Sequence, residues 1–402
     1  MKNKILTLIL FLATAGIVAL YPAYQSVGAV APPVAPPPPP QAHNGQKPVV
    51  EVVFVLDTTG SMGGLIQAAK EKIWSIAGSM AQAQPAPDIR MGLVAYRDRG
   101  DEYVTRVVNL SSDLDSMYAT LMDFQANGGG DGPESVNQAL SDAVNTIAWS
   151  SDPNAYKVVF LVGDAPPHMD YANDVRYPDV VAAAKKKGIV INTIQCGADG
   201  STTREWQQIA SLGAGKYFQV EQAGNAVAMA TPYDKEMAEL SAKLDKTRLY
   251  YGTEEEKRKK NEKIVAADKL KAASVESQAR RAAFNASPSG AANLAGEKEL
   301  VDDVAKGRVD IDAVAPASLP EPLQALSPEQ RKAVVTEKAQ ERQALLGQIQ
   351  SLSKQRGDFL KEEVKKTLGA DAGKSLDHKV YDAVREQAEK KGLRYEKDAP
   401  AY

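Results

Sequence analysis

The residues best suited to chemistry are Asp57, Thr59 and Ser61, spaced two apart at the end of the apolar run VVEVVFVLDTTGS. A carboxylate and two hydroxyls supply oxygen ligands, which Mg²⁺, Mn²⁺ and Ca²⁺ prefer in proteins. Asp, Thr, Gly and Ser are also common where a strand turns into a helix, and Ser61 is a candidate helix cap. These three residues alone therefore leave a metal site and an ordinary turn open.

Two further carboxylates follow similar signals. Asp131 lies in the glycine-rich stretch ANGGGDGPES, where Pro133 is well placed to start a helix, and Asp164 ends the apolar run KVVFLVGD. A glycine-rich loop before a helix can also hold phosphate, but the adjacent carboxylate argues for a cation. We expect Asp57, Asp131 and Asp164 to meet above the carboxyl ends of parallel strands.

The elements that must position these residues alternate between strands and helices over about 170 residues. Apolar runs predict six strands, and helical spacing predicts helices between most of them. The second and third strands, Ile89–Asp98 and Tyr103–Leu110, are separated by a turn of Arg99, Gly100 and Asp101, so they form an antiparallel pair. The pattern predicts an α/β fold with a doubly wound, mostly parallel, six-stranded sheet.

The pattern Asp57-x-Thr59-x-Ser61 after an apolar strand resembles the metal-ion-dependent adhesion site of the von Willebrand factor type A family. Family members usually carry Ser where this chain has Thr59. The resemblance implies an antiparallel edge strand, and it assigns Asp164 to the third ligand loop and Asp131 to a place where many members carry Thr. It is strong over residues 49–221 and loose beyond, where the chain is similar to exported bacterial members.

The resemblance also implies a function for the site. Asp57, Thr59, Ser61, Asp131 and Asp164 would hold Mg²⁺ (or Mn²⁺ or Ca²⁺), and a protein partner would complete the coordination shell with its own oxygen, such as that of an acidic side chain. In similar modules this event shifts the last helix, here near Glu221–Leu244. We expect no catalysis.

A third carboxylate changes the charge of the site. Three carboxylates around a dication leave a local formal charge of about −1, where two would leave it neutral. Our hypothesis is that Asp131 makes the site bind its ion more tightly and a partner's carboxylate more weakly.

The amino terminus predicts export. Lys2 and Lys4 precede an apolar run and a small-residue stretch, which is the order of a signal peptide over residues 1–29. A Pro-rich linker follows over residues 30–48 and is expected to act as a semi-rigid spacer. The prediction is a secreted or periplasmic protein, and an uncleaved membrane anchor is the alternative.

Charge and composition exclude some functions. The formal net charge of −3 gives no indication of a nucleic-acid partner. Residues 50–221 hold 21 acidic and 13 basic residues, a net charge of −8, which suits cation binding.

Cys196 is the only cysteine, so it forms no internal disulfide and is expected to be buried. With three histidines in the chain, the composition argues against a zinc site or a His-dependent triad, and His168 is expected in a surface loop.

The predicted metal-binding domain covers residues 49–225, and a helical region covers residues 226–402 with a Pro/Ala/Gly-rich break at about 285–326. We expect that break to be a loop with one short helix near Glu297–Val304. A long helix starts at Ser327, and its broken three-four apolar pattern fits either a helical hairpin or coiled coil, or packing against neighbouring helices. The oligomeric state stays open.

Two other functions compete with a metal-dependent binding module. Asp57-Thr58-Thr59-Gly60-Ser61 is similar to the aspartyl-phosphate motif of Mg²⁺-dependent phosphoryl-transfer hydrolases, with Asp57 as the nucleophile. That motif normally has Lys or a second Asp where Thr58 or Thr59 stands. The other alternative is a structural scaffold with a vestigial metal site, in which the helices bind partners.

Overall fold

The computed structural model describes residues 47–130, 132–223, 229–367 and 376–395. The predicted signal peptide, nearly all of the linker and the predicted ligand Asp131 lie outside the described residues. Within the described part of the chain, every helix is too short or too polar to cross a membrane.

Six strands form one sheet in the order β3-β2-β1-β4-β5-β6. Their bounds are β1 Val49–Asp57, β2 Asp88–Tyr96, β3 Thr105–Ser111, β4 Tyr156–Gly163, β5 Ile189–Cys196 and β6 Ala214–Val220. All neighbouring strands are parallel except β2 and β3, which pair antiparallel at one edge. The predicted fold class is thereby confirmed, including the antiparallel edge strand.

The central strands are buried on both faces, as their unbroken apolar runs predict. In β1, Val52, Phe54 and Leu56 enter one apolar cluster, whereas Val53 and Val55 enter the cluster on the other face. The sheet therefore lies between two layers of helices, and Cys196 is buried as predicted.

Five helices of the α/β domain cover the sheet. They are α1 Gly63–Met80, α2 Leu114–Asp123, α3 Val136–Asn145, α4 Tyr177–Lys186 and α5 Gly200–Leu212. Residues of α1 and α2 join one apolar cluster, and residues of α3, α4 and α5 join the other. Asp113 caps α2 by accepting a hydrogen bond from the Ser116 N–H.

One predicted helix start was wrong, and one candidate helix cap is not used. Ser61 does not cap α1, because a short 3₁₀ turn, Gly60–Met62, comes before that helix. Pro133 does not start α3, which begins at Val136. The Glu134 N–H instead donates to Pro166 O at 2.9 Å, and this pairing with the loop after β4 holds the segment outside the helix.

The remainder of the described chain is helical. Its elements are α6 Asp234–Asp245, α7 Glu254–Lys269, α8 Val275–Asn285, α9 Ala291–Ala295, α10 Leu300–Ala305, α11 Glu321–Gln324, α12 Pro328–Thr367 and α13 Leu376–Glu389. Residues 285–326 thus contain several short helices and 3₁₀ turns rather than one short helix in a loop. Leu300, Ile311, Leu319 and Leu323 are buried there against α12, so burial orders a stretch whose composition predicts a loop.

The long helix α12 packs on several short helices. Its buried arginines pair with different neighbours: Arg342 contacts Glu299 at 2.7 Å, and Arg356 contacts Asp234 of α6 at 2.7 Å. Its apolar positions Leu345 and Ile349 enter a cluster with residues of α6 and α8. This contact pattern favours packing on neighbouring helices over a regular coiled coil.

The helical region packs directly on the α/β domain. Phe284 of α8 lies 5.8 Å from the Trp74 ring of α1, measured between ring centroids. Gln387 of α13 accepts a hydrogen bond from Tyr156 and donates one to Asn192, beneath β4 and β5. Because these polar groups are buried and paired across the contact, the tail helices complete one helical layer of the sheet.

Candidate metal centre

The site lies where the strand order reverses. From β1 the chain runs to β2 on one side, and β4 starts the other half of the sheet on the opposite side of β1. In open α/β sheets a crevice forms at the carboxyl ends of the strands at such a point. The β1–β4 register pairs Leu56 with Val162, so Asp57 and Asp164 follow neighbouring strands at the same edge.

The loop after β1 holds three predicted ligands close together. Asp57 Oδ1 accepts hydrogen bonds from the Thr59 N–H at 2.9 Å and from the Thr59 hydroxyl at 2.6 Å. Thr59 Oγ1 lies 3.5 Å from Ser61 Oγ. This arrangement is an aspartate-stabilised turn, and it leaves the two hydroxyls beside one carboxylate.

The second oxygen of Asp57 fits a cation. Asp57 Oδ2 is buried and has no hydrogen-bond partner among the described residues. Burial, with a smaller contribution from the nearby charge of Asp164, raises the pKa of Asp57 to about 7 against the opposing effect of the Thr59 hydrogen bonds. An unpaired buried carboxylate oxygen is costly, and a bound cation would satisfy it.

Gly163 makes room for this carboxylate. A Cβ added at Gly163 would lie 3.0 Å from Asp57 Oδ2 and 2.4 Å from the hydroxyl oxygen of Tyr96. Tyr96 is itself fully buried. The glycine at the end of β4 therefore lets two polar side chains from β1 and β2 approach its backbone closely.

Asp164 is partly exposed and is hydrogen-bonded to the segment that follows the last strand. Its Oδ2 accepts a hydrogen bond from the Gln222 side-chain amide at 2.6 Å, and its carbonyl oxygen accepts one from the Thr202 hydroxyl at 3.0 Å. Gln222 follows β6, so the end of the sheet reaches back to the third predicted ligand loop.

The glycine-rich loop contacts the first loop through its backbone. The Gly60 N–H donates to Gly128 O at 3.1 Å, and the Asn127 N–H donates to Thr58 O at 3.1 Å. Gly128 and Gly129 have φ angles of 76° and 78°, which favour glycine. The loop therefore runs beside Thr59, although Asp131 itself lies outside the described residues.

The described residues do not complete a metal site by themselves. Within the described ranges, no three His, Cys, Asp or Glu side chains lie close enough to hold a metal ion. The structure brings Asp57, Thr59 and Ser61 together and sets Asp164 at the same edge, whereas Asp131 stays untested. The oxygen donors present suit a hard cation such as Mg²⁺.

Glu134 was missed by the sequence analysis. Its side chain is only 4% exposed, and Oε2 has no hydrogen-bond partner among the described residues. Burial raises its pKa to about 9, with further contributions from the charges of Asp57, Asp98, Asp101 and Asp164. The Pro133-Glu134 pair beside the glycine-rich loop was the available signal, since a second carboxylate stands three residues after Asp131.

His168 is buried, so its prediction as a surface histidine was wrong. Its ring stacks on Tyr171 at 4.0 Å between centroids, and Nδ1 lies 2.8 Å from Asp170. Nε2 lies 3.4 Å from Asp98, which also accepts hydrogen bonds from Ser135 at 2.9 Å and Tyr171 at 2.8 Å. This network places His168 behind the glycine-rich loop.

Arg97 links the loop after β1 to the segment just before the glycine-rich loop. Its guanidinium donates to Thr58 O at 3.1 Å and to Gln125 O at 2.9 Å, and it stacks on the Tyr103 ring at 4.4 Å. A buried cation therefore fastens the backbone of the first loop to that of the second.

Known proteins are similar to part of this chain. The family profile described as von Willebrand factor A domain matches residues 51–231. The rat von Willebrand factor A domain-containing protein 7 is 37% identical over 120 residues, which cover 30% of this chain and 12% of that protein. Alpha-protein kinase vwkA of Dictyostelium discoideum is 30% identical over 121 residues, covering 30% of this chain and 19% of the kinase. The chain thus spans less than a fifth of the length of these relatives.

Two solved structures are similar at low identity. The SpRpn10 VWA domain is 14% identical, with a TM-score of 0.34, over 45% of this chain and 92% of that one. Proximal thread matrix protein 1 of the mussel byssus, solved with a zinc-occupied MIDAS motif, is 18% identical, with a TM-score of 0.34, over 44% and 42% of the two chains. Similarity at this level adds no support to a family assignment. The profile match and the strand order agree, and residues 51–231 therefore belong to the von Willebrand factor A domain family.

Proposed function

We propose that this protein is a metal-ion-dependent protein-binding module. Asp57, Thr59, Ser61, Asp131 and Asp164 would hold Mg²⁺ (or Mn²⁺ or Ca²⁺), and an oxygen ligand from a protein partner would complete the shell. The single observation that carries this proposal is the buried, unpaired Oδ2 of Asp57 beside the hydroxyls of Thr59 and Ser61.

The chemistry of the donors supports a hard dication. A dication at this edge would offset the mutual repulsion of Asp57 and Asp164, which raises the pKa of Asp57 in its absence. It would also supply an open Lewis-acid position at which a partner's carboxylate or other oxygen binds. In this proposal the chain holds the two hydroxyls and the carboxylates in position before the ion binds.

The helical region is proposed to couple the site to assembly with other proteins. Gln222, which contacts Asp164, precedes α6 in the chain, and α6 is fixed to α12 through the buried Asp234–Arg356 pair. A change at Asp164 would therefore reach the long helix through one hydrogen bond, the chain between Gln222 and α6, and one ion pair.

We propose a non-catalytic role for Asp57. The motif Asp57-Thr58-Thr59 lacks the Lys or second Asp usual in aspartyl-phosphate hydrolases. A phosphatase assay with Mg²⁺, on the wild-type chain and the Asp57→Asn variant, tests this point. Turnover that depends on Asp57 would replace the binding module with the hydrolase.

Export is proposed from residues 1–29 alone, whose pattern is that of a signal peptide. The secreted or periplasmic chain would then meet its partner outside the cytoplasm. Fractionation of the producing cells, with the amino-terminal residue of the purified protein identified, tests both the location and the cleavage.

The central experiment measures ion binding and partner binding together. Calorimetric titration with Mg²⁺ and with Mn²⁺ should show one site in the wild type and none in Asp57→Ala. Asp358→Ala, which removes an exposed aspartate of α12, should bind like the wild type. Capture of partners from the producing cell should be lost with EDTA and in Asp57→Ala.

A melting temperature unmoved by EDTA or Mg²⁺ would favour the scaffold with a vestigial site. In that case capture of partners would be equal with and without chelator, because the helices would bind them.

A further inference from the structure

A cleft of about 560 Å³ opens at the end of the sheet opposite the candidate metal centre. It lies at the start of β4, where its lining residue Lys157 stands seven residues before Asp164, which corresponds to about 20 Å along a strand. Trp149, Ser150, Lys157 and the run Lys185–Lys187 contribute to its lining. Among the described residues that line the cleft, four are lysines and none is an aspartate or glutamate, although residues 50–221 carry a net charge of −8.

Lys157 is the least expected of these lysines. It sits in the buried strand β4 and is only 6% exposed, yet its ammonium contacts the carbonyl oxygen of Ser150 and no described carboxylate lies within 4 Å of it. An ammonium has three donors, and burying one without an anionic partner is costly. The remaining donors therefore favour an anion in the cleft.

The neighbouring carboxylate is engaged elsewhere. Glu51 pairs with Lys157 in the register of β1 and β4. Its side chain accepts hydrogen bonds from the Ser150 N–H at 3.0 and 3.2 Å and lies 3.4 Å from Arg90. Glu51 thus holds the loop at Ser150 in place and does not form an ion pair with Lys157.

The other lysines have separate roles. Lys187 donates to Val144 O at 2.7 Å and to Asn145 at 3.1 Å, so it caps the end of α3. Lys185 and Lys186 are exposed in the last turn of α4, where cations also offset the helix dipole. The dipole accounts for lysines at a helix end, but it does not account for Lys157 in a strand.

We propose that this cleft binds a small oxyanion of the phosphate class, with Lys157 at its floor and Lys185 and Lys186 at its rim. Lysines bind phosphate groups as point charges, and the cleft volume lies in the range of small-molecule sites. The proposal is independent of the metal centre, which lies at the other end of β4.

The test is a calorimetric titration of the full chain with inorganic pyrophosphate at low ionic strength. EDTA is present so that the anion cannot bind through a metal ion at Asp57. We expect saturable binding at one site, which weakens as salt is added because exposed charges are screened.

Variants separate the cleft from general charge. Lys185→Ala/Lys186→Ala should weaken pyrophosphate binding about tenfold, as expected for lost hydrogen bonds to a charged group. Lys157→Met should abolish it, with folding checked by thermal melting. The matched control Lys235→Ala/Lys243→Ala removes the same charge from exposed positions of α6 and should bind within about twofold of the wild type.

Two results would overturn the proposal. One is the absence of saturable binding of pyrophosphate to the wild type. The other is an equal loss of affinity in the two double variants, which would mean that the anion responds to net charge alone. The rim variant keeps the test decisive even if Lys157→Met fails to fold.

Discussion

The side-chain amide of Gln222 donates a 2.6 Å hydrogen bond to Oδ2 of Asp164. Gln222 lies beyond the last strand, and Asp164 is the predicted ligand of the third loop. One carboxylate oxygen of the candidate metal centre is therefore already engaged by the segment that leads out of the sheet. A cation that uses this oxygen must compete with the amide.

This contact predicts that Gln222→Ala strengthens ion binding. Removing the amide frees Asp164 Oδ2, and a hydrogen bond to a charged group contributes about 1.5–3 kcal/mol. Water that hydrogen-bonds to the freed carboxylate offsets part of this free energy. We therefore expect a three- to tenfold higher affinity for Mg²⁺, measured by calorimetry. A lower affinity would instead mean that Gln222 orients Asp164 for the ion. Gln219→Ala, which removes an exposed glutamine of β6, is the control.

Gly163→Ala should damage both stability and the site. The added Cβ would overlap the Tyr96 hydroxyl at 2.4 Å and crowd Asp57 Oδ2 at 3.0 Å, so the side chains must move. Overpacking of a buried region costs about 1–3 kcal/mol. Urea denaturation should show this loss, and Mn²⁺ titration should show weaker binding.

The control for this variant is Gly347→Ala in α12, where an added Cβ meets nothing within 4 Å. That change should raise the free energy of unfolding by up to about 1 kcal/mol, because alanine is the better helix former. Equal stability of the two variants would contradict the close packing inferred at Gly163.

A buried ion-pair network predicts how stability depends on pH. Arg281 of α8 makes two hydrogen bonds of 2.6 Å to Asp115 of α2 and two of 2.9 Å to Asp245 of α6. Burial raises the pKa of Asp115, but the charge and hydrogen bonds of Arg281, with Lys263 and Arg248, outweigh it and hold the pKa well below its usual range.

The lowered pKa of Asp115 determines how the stability of the fold changes with pH. The carboxyl of Asp115 binds a proton more readily in the unfolded chain, so its contribution to stability is complete above about pH 4 and is lost as the pH falls below that value. Urea denaturation between pH 7 and pH 3 should show this loss. Asp115→Asn should cost about 3–5 kcal/mol at pH 7 and flatten the acid dependence. An unchanged acid slope in Asp115→Asn would assign the loss to other groups, and Asp358→Asn serves as the exposed control.

Asp131→Thr tests the role of the third carboxylate. Restoring the hydroxyl common in the family removes one negative charge near the ion, so Mg²⁺ affinity should fall by about tenfold or more. A partner's acidic ligand should then bind the loaded site more strongly. Unchanged ion affinity by calorimetry would refute the first half of the hypothesis.

The elements that carry the candidate site follow from local pattern. The apolar runs ending at Asp57 and Asp164 predict buried parallel strands, and a short turn predicts the antiparallel pair β2–β3, because strand periodicity and turn length are properties of adjacent residues. The helix at Pro133 was misplaced, since the pairing of Glu134 with the loop at Pro167 is a contact between distant segments.

By itself, the sequence determined the α/β architecture, the loop Asp57-Thr58-Thr59-Gly60-Ser61 and the edge at which Asp164 would join it. Only the tertiary structure decided that Glu134 and His168 are buried, that Gln222 engages Asp164, and that residues 285–326 pack against α12. The physical reason is the separation along the chain of the residues that interact. The periodicity of neighbouring residues indicates which side of a strand or helix is buried. The partner of a buried charge is set by segments far apart in the chain, which meet only when the sheet and its helical layers assemble.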